Sequence, residues 1–330
     1  MIWLTWRQSR VQALVGLGAL ALLAIYLLVL GNQIHGAYDD TLTHCAGRDS
    51  CSSQLGTFAD KYILQVDLFG YLLLAAPGAI GIFWGAPLIT RELESGTHRL
   101  VWNQSVTRRQ WLAAKLGLGT LLGVVVAGLF SLALTWASGP VDAVLNNRFE
   151  PLLFSSRNIA PLGYAAFAFV LGTTLGLFIR RTVPAMSVTL VAFVVLQIVM
   201  PTVVRPHYVT PVRTSVPLTA ELVGRLTKIG TYGEIGGLRV PGGPWVVKTS
   251  PMLDSTGREV GHTEWFQDCM DNHSMADLPA CLAKGNIHVD VSEQPAGRYW
   301  TFQRYETGIF AVLAALVAGL CFWRIRGRLT

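Results

Sequence analysis

Charge is what this chain is short of. Lys, Arg, Asp and Glu make up 14% of its 330 residues, while 52% are hydrophobic. A soluble domain carries about 25% charged residues, so the deficit excludes a water-exposed surface over most of the chain. Chemical signatures are lacking too. There is no G-x-x-x-x-G-K-[ST] phosphate loop, no H-E-x-x-H and no G-x-S-x-G. The chain therefore has no standard cradle for ATP, and no motif marks it as an enzyme. Nor is there the basic patch that nucleic-acid binding needs, because the net charge of +6 is spread over short connectors.

What is present is apolar sequence in blocks. A helix needs ~20 apolar residues to cross a bilayer, and six blocks approach or exceed that length. They are Val11–Gly31, Val66–Ile89, Leu112–Trp136, Leu162–Ile179, Val183–Val204 and Tyr305–Trp323. Only Arg180, Arg181 and Pro184 divide the fourth from the fifth, which predicts a tight hairpin. Arg7 and Arg10 ahead of the first block imitate a signal peptide. Its apolar core exceeds the usual ~7–15 residues and no A-x-A site follows, so it is expected to stay as an anchor.

Short cytoplasmic loops retain Lys and Arg. One side would hold twelve: Arg7, Arg10, Arg91, Arg99, Arg108, Arg109, Lys115, Arg180, Arg181, Arg324, Arg326 and Arg328. The other short loops hold four: Arg48, Lys61, Arg148 and Arg157. Both termini are therefore expected in the cytoplasm, with 32–65, 137–161 and 205–304 outside. The last of these balances ten basic against ten acidic residues and has strand-like pieces at Pro244–Thr249 and Asn286–Val291. At about 100 residues it can fold as a small domain, mixed and mostly β.

The fold predicted is an all-α polytopic membrane protein of six transmembrane helices. Residues 1–204 would form helices 1–5, with an N-terminal interfacial helix and a cytoplasmic loop at 90–111. Residues 205–304 would form the extracellular domain, and 305–330 the sixth helix and a basic tail. Disulfides persist outside the cytoplasm, so Cys45–Cys51 and Cys269–Cys281 are the expected bridges, leaving Cys321 a free thiol. His262, Cys269, His273, Cys281 and His288 also cluster, but their spacing matches no compact zinc pattern. Disulfides are favoured over a metal.

Ionisable residues inside a membrane are functional candidates by default. Only Asp67, Lys115 and Glu306 qualify, all near the ends of spans, so a dry bundle is expected. Gly81 and Gly85, Gly119 and Gly123, and Gly172 and Gly176 have the four-residue spacing that lets helices approach. Phe69 and Phe83 on the second span, with Gln197 and Met200 on the fifth, are candidates to line a substrate path. Ordinary lipid-facing or core packing is the plainer alternative for each.

The densest charge lies in APLITRELESGTHRLVWNQSVTRRQW, Ala86–Trp111. The second span is expected to continue as helix through Glu92 and Glu94 and to break at Ser95-Gly96, since Gly is a poor helix interior residue. A short amphipathic piece follows, with Thr97, Leu100 and Val101 on one face and Arg99 and Trp102 beside it. Thr107 and Gln110 then have the form of a capping box. A helix docked on a cytoplasmic partner and a merely solvated hairpin both fit this periodicity.

The run Arg91-Glu92-x-Glu94-x-Gly96-Thr97, then Arg108 or Arg109, then Lys115, resembles the cytoplasmic loop of type-2 ABC transporter permeases. There the pattern reads roughly E-x-x-x-G-T, an Arg, and a Lys opening the third helix. Trp3–Arg10 is similar to the short amphipathic helix that starts actinobacterial members. Ser105-Val106 departs from the family, whose loop often has a Pro before its Arg.

The resemblance implies that 90–111 couples to a separate ATPase subunit, through Glu92, Glu94, Gly96, Thr97, Arg99, Arg108 and Lys115. It implies a permease subunit of a plasma-membrane exporter, itself not an enzyme, moving an amphipathic or hydrophobic substrate such as a drug, lipid or peptide outward. ATP and Mg would be held by the partner ATPase, with no cofactor in this chain. A second permease, identical or related, and the lipid bilayer complete the expected partners. The rival reading is a membrane-anchored extracellular sensor or binding protein working through 205–304.

Overall fold

The computed structural model describes residues 2–45, 51–96, 107–224, 226–238, 240, 242–274 and 277–326. Two compact units result: a helical one (1–145, 151–201 and 303–330) and a smaller mixed one (146–150 and 202–302). Hydrocarbon offers backbone groups no partner, so a spanning segment must close its own hydrogen bonds as helix. Among the described residues six helical segments are long and apolar enough to span: Ala21–Cys45, Ser53–Glu94, Arg108–Leu145, Ala160–Ile179, Thr182–His207 and Ala296–Ile325.

These helices outrun the apolar blocks. α1 (Ile2–Cys45) passes unbroken through Trp3–Arg10 into the first span, and α2 (Cys51–Ala79) begins six residues beyond its end. Segment 32–65 is thus helical rather than an open loop wherever it is described. The reason is packing. Leu30 and Ile34, one turn apart, bury against Phe58, Tyr62 and Val66 of α2, with Ala37 and Tyr38 beside them. Apolar contacts at helical spacing override the polar residues between them.

The second span changes its winding partway. Pro77 lies inside α2 and supplies no N–H. A π turn (Ile80–Gly85) follows, in which Ala86 N–H reaches back five residues to Gly81 O, and α3 (Ala86–Glu94) restores the ordinary helix. α4 (Arg108–Leu145) forms the third span, and the short α5 (Pro151–Ser156) leads toward α6 (Ala160–Ile179), the fourth. α6 is the central helix: 67% of its most apolar stretch is buried, against 22% in the first, fifth and sixth spans. Arg180 ends it in the left-handed conformation, and α7 (Thr182–Val199) starts two residues later, so the hairpin is as tight as its sequence predicts.

Glycine sets how closely α6 is approached. A Cβ on Gly172 would stand 2.2 Å from Gly81 O, and one on Gly81 2.4 Å from Ala168 O. One on Gly85 would stand 2.6 Å from Phe169 O, and one on Gly176 2.7 Å from Ala86 O. Two of the three glycine pairs thus meet face to face, backbone on backbone. The third pair faces side chains: Gly119 makes room for the Phe169 ring and Gly123 for Ile80.

The smaller unit is mixed rather than mostly β. β1 (Val212–Pro217), β5 (His288–Gln294) and β4 (Trp245–Thr249) form an antiparallel sheet in that order. β2 (Lys228–Ile229) and β3 (Ile235–Gly236) make a separate small ladder. The period of two in β5 buries Val289 and Val291 and exposes Asp290. Two short helices, Glu264–Asn272 and Leu278–Lys284, pack Phe266, Leu278 and Leu282 into the same core. The disulfide Cys269–Cys281 joins them, so those sulfurs are not thiolate ligands. Cys45 and Cys51, expected to be bridged, are not joined. Cys45 Sγ instead donates to Gln54 Oε1 (3.4 Å) and Cys51 O (3.7 Å), polar groups of the first turn of α2.

Two measurements check this packing. Mass mapping without reduction is expected to find Cys269–Cys281 linked and Cys45 and Cys51 separately alkylated; a Cys45–Cys51 peptide would contradict the structure. Gly172→Ala is expected to destabilise the chain by about 1–3 kcal/mol, as overpacking does. Gly308→Ala, whose Cβ meets nothing within 4 Å, should leave the unfolding temperature in detergent unchanged or slightly raised. Equal behaviour of the two variants would remove the backbone contact as a constraint.

Candidate functional site

The charged connector is anchored at both ends by local chemistry. At its start, α3 stops at Ser95, whose N–H and Oγ both bond Arg91 O (3.0 and 2.7 Å). Gly96 follows with φ +71, the left-handed conformation that ends helices and that only glycine adopts freely. At its far end Thr107 and Gln110 form the reciprocal box: Gln110 N–H donates to Thr107 Oγ1 (3.3 Å) and Thr107 N–H to Gln110 Oε1 (3.2 Å). Thr97 and Arg99, with the rest of 97–106, lie outside the described residues. Arg108 opens α4 and is exposed.

The two acids at the start turn inward. Glu92 pairs with Lys115 of the third span. Lys115 also donates to Leu88 O (3.4 Å) and stands 4.6 Å from the centre of the Trp111 ring. One ammonium is thus held by a carboxylate, a carbonyl and an aromatic face, which fixes the base of α3 to α4. Glu94 reaches the fifth span. Its Oε1 accepts from Thr182 N–H (2.8 Å) and its Oε2 from Thr182 Oγ1 (2.9 Å), while Thr182 Oγ1 lies 2.8 Å from Thr90 Oγ1. Thr182 is the first residue of α7, and Arg181 before it gives no side-chain cap. Glu94 therefore caps α7 from another helix, an anion placed at a helix N-terminus.

The four candidate path residues separate. Phe69 and Phe83 share an apolar groove of about 320 Å³ with Leu27, Leu73, Trp84 and Phe130 of the first three spans. Gln197 and Met200 do not line it. Met200 is buried at the end of α7, where a π turn (Met200–Val204) begins. Gln197 Nε2 is buried with no hydrogen-bond partner.

The bundle is not dry, contrary to expectation. Asp142 of α4 and Arg157, just past α5, form a buried ion pair, and Ser138 Oγ donates to the same carboxylate oxygen at 3.3 Å. Glu306 is fully buried within the protein and accepts from Tyr164 OH. Gln303, one turn earlier, donates to Phe154 O (2.8 Å) and accepts from Ala160 N–H (3.0 Å). Ser131 and Thr135 of α4 bond the backbone of Asn158. The reason is that α6 starts inside the bundle, so its orphaned N–H groups must find partners on neighbouring helices. Asp142 and Arg157 look like loop charges in the sequence, at the edge of apolar blocks. Their opposite signs flanking a short Asn-rich connector were the available signal.

Glu94→Ala is expected to weaken the start of α7, as losing an N-cap does, and to speed hydrogen exchange at the Thr182 amide. Glu94→Gln, which keeps one acceptor, should retain most of the protection. Unaltered exchange at Thr182 in Glu94→Ala would remove the cap.

The description "ABC-2 membrane transporter related" fits residues 17–205, more than half of the chain. That range takes in the first five spans, the glycine contact and the whole connector. No curated protein and no solved structure matches the chain. A multi-pass membrane chain with this bundle and this match belongs to the ABC-2 membrane transporter related family.

Proposed function

We propose that the chain is the membrane subunit of an ATP-driven exporter, with both termini and the 90–111 connector in the cytoplasm and segment 205–304 outside. A separate ABC-type ATPase subunit binds ATP and Mg and docks on the connector, and a second permease, identical or related, completes the membrane part. What carries this reading is the anchoring of the connector. A loop that merely joined two helices would not need Glu92 tied to the third span and Glu94 tied to the fifth. With those ties, a push on the connector moves three spans together. Gly96, Thr97, Arg99 and Arg108 are then the residues that meet the ATPase, while Glu92, Glu94 and Lys115 hold the lever to the bundle.

The substrate is amphipathic or hydrophobic in this reading. The groove holding Phe69 and Phe83 is lined by apolar and aromatic side chains, which suit a drug, lipid or peptide side chain and not a small ion or sugar. Gln197, whose buried amide nitrogen has no hydrogen-bond partner, lies outside that groove and is kept as a candidate of the fifth span. A sensor or binding protein working through 205–304 would leave the anchored connector without a task.

The test is to purify the permease with its ATPase and compare Gly96→Val with wild type. A Cβ at Gly96 meets nothing within 4 Å among the described residues, and the positive φ strains the backbone of any side-chain-bearing residue there. Holding a side chain in the left-handed region costs about 1–2 kcal/mol, or about tenfold in an equilibrium. Gly96→Val is expected to remain inserted and folded but to lower substrate-stimulated ATP hydrolysis by about that factor. Unchanged complex yield and unchanged stimulated turnover would mean that the connector is only a hairpin.

A further inference from the structure

At the end of the bundle opposite the connector, Arg157 is buried to 3% exposure, and only part of its guanidinium is used. Nη1 donates to Asp142 Oδ2, while Nε and Nη2 are buried with no partner. Those two nitrogens form the side-on edge of the guanidinium, whose parallel N–H groups suit a carboxylate held by both oxygens. Asp142 Oδ1 and Ser156 Oγ, beside them in sequence and space, also lack partners. An orphaned charged edge is costly in a buried site, so something else has to fill it in part of the working cycle.

The group that fits is Asp67 of the second span. Among the described residues it makes no hydrogen bond or ion pair, and the charges that act on it are those of Arg157 and Asp142. Gly70, one turn along α2 and on the same face, lies against Leu152 and Ser156: a Cβ there would stand 3.4 Å from Leu152 Cγ and from Ser156 Oγ. Asp67 therefore faces the corner that carries Arg157. An exogenous anion is the poorer occupant, because Asp142 is bonded to this guanidinium and the Asp67 charge acts on the same corner. We propose that Asp67, Arg157 and Asp142 form a two-position latch. In the state seen here Arg157 holds only Asp142 of the third span; in the other state Asp67 closes on its side-on edge and draws the second span toward the corner between the third and fourth.

The latch sits about 40 Å along the helix from the connector, at 1.5 Å per residue over the interval from Asp67 to Glu94. The second span thus carries two acids far apart along its length, Asp67 facing Arg157 and Glu92 held by Lys115. This inference rests on the permease reading, since it needs a protein that changes state.

The test uses the full permease with its ATPase, carrying spin labels at Leu64→Cys and Pro151→Cys, both exposed positions, with Cys45, Cys51 and Cys321 replaced by Ser. In the otherwise unaltered protein the label separation is expected to shorten on trapping with ATP. In Asp67→Asn it should not, while insertion, complex yield and unstimulated ATP hydrolysis stay as they were, because Asp67 makes no bond in the resting state. Asp67→Glu should restore the shortening, and stimulated turnover should fall about tenfold in Asp67→Asn alone. Equal shortening with and without Asp67→Asn overturns the latch and leaves the permease reading standing. No ATP-dependent change in the parent protein, with no ATPase complex formed, overturns both.

Discussion

The helical bundle depends on the backbone contact between the second and fourth spans. Gly172 leaves no room for a Cβ because Gly81 O occupies that space, and Gly81 leaves none because of Ala168 O. In lipid the apolar surfaces of helices gain little by leaving the surrounding tails, so close van der Waals packing carries the association. The π turn between Pro77 and Pro87 is where this approach occurs, and Gly81 O there also accepts from Ala86 N–H. The central position of α6 follows. Once two helices meet at backbone distance, the third span packs Gly119 around Phe169, and the fifth packs Phe193 into Gly78.

From that pair the connector inherits its position. α3 is the direct continuation of the π turn, so the helix carrying Glu92 and Glu94 is already held against α6 through Gly176 and Ala86. The carboxylates then extend the hold sideways, one to the third span and one to the fifth. Glu92 and Glu94 look like solvated loop charges in one dimension and are bracing between spans in three. A rigid base of this kind suits a part that receives force, since displacement at the loop is not lost in side-chain motion.

Opposite the connector, the polar groups of Ser131, Thr135, Asp142, Arg157, Gln303 and Glu306 answer a different need. Starting α6 within the bundle leaves helix-end N–H groups where lipid offers no partner. Gln303 takes the N–H of Ala160, the first residue of α6, and Thr135 takes that of Asn158 just before the helix. The buried Asp142–Arg157 pair is not required by this capping. Buried ion pairs seldom add net stability over apolar packing, which turns attention to function rather than to folding.

Much of the architecture was legible beforehand because it depends on composition and local rules. Six apolar blocks pointed to spanning helices, since runs of ~20 apolar residues suit a helix that satisfies its own backbone in hydrocarbon. Ser95-Gly96 had to end a helix and Thr107–Gln110 had to begin one, since those caps involve neighbours in sequence. The four-residue glycine spacing marked the correct faces without saying which faces meet. What only the tertiary structure decided was every partnership across the chain. Glu94 finds Thr182, Glu92 finds Lys115, Glu306 finds Tyr164, and Asp142 finds Arg157; Cys45 lies beside Gln54 and is not bridged to Cys51. Periodicity reports which way a side chain points from its own helix axis. It carries no information about the rotation and depth of the helix opposite, and in this protein those are set by where glycine permits two backbones to touch.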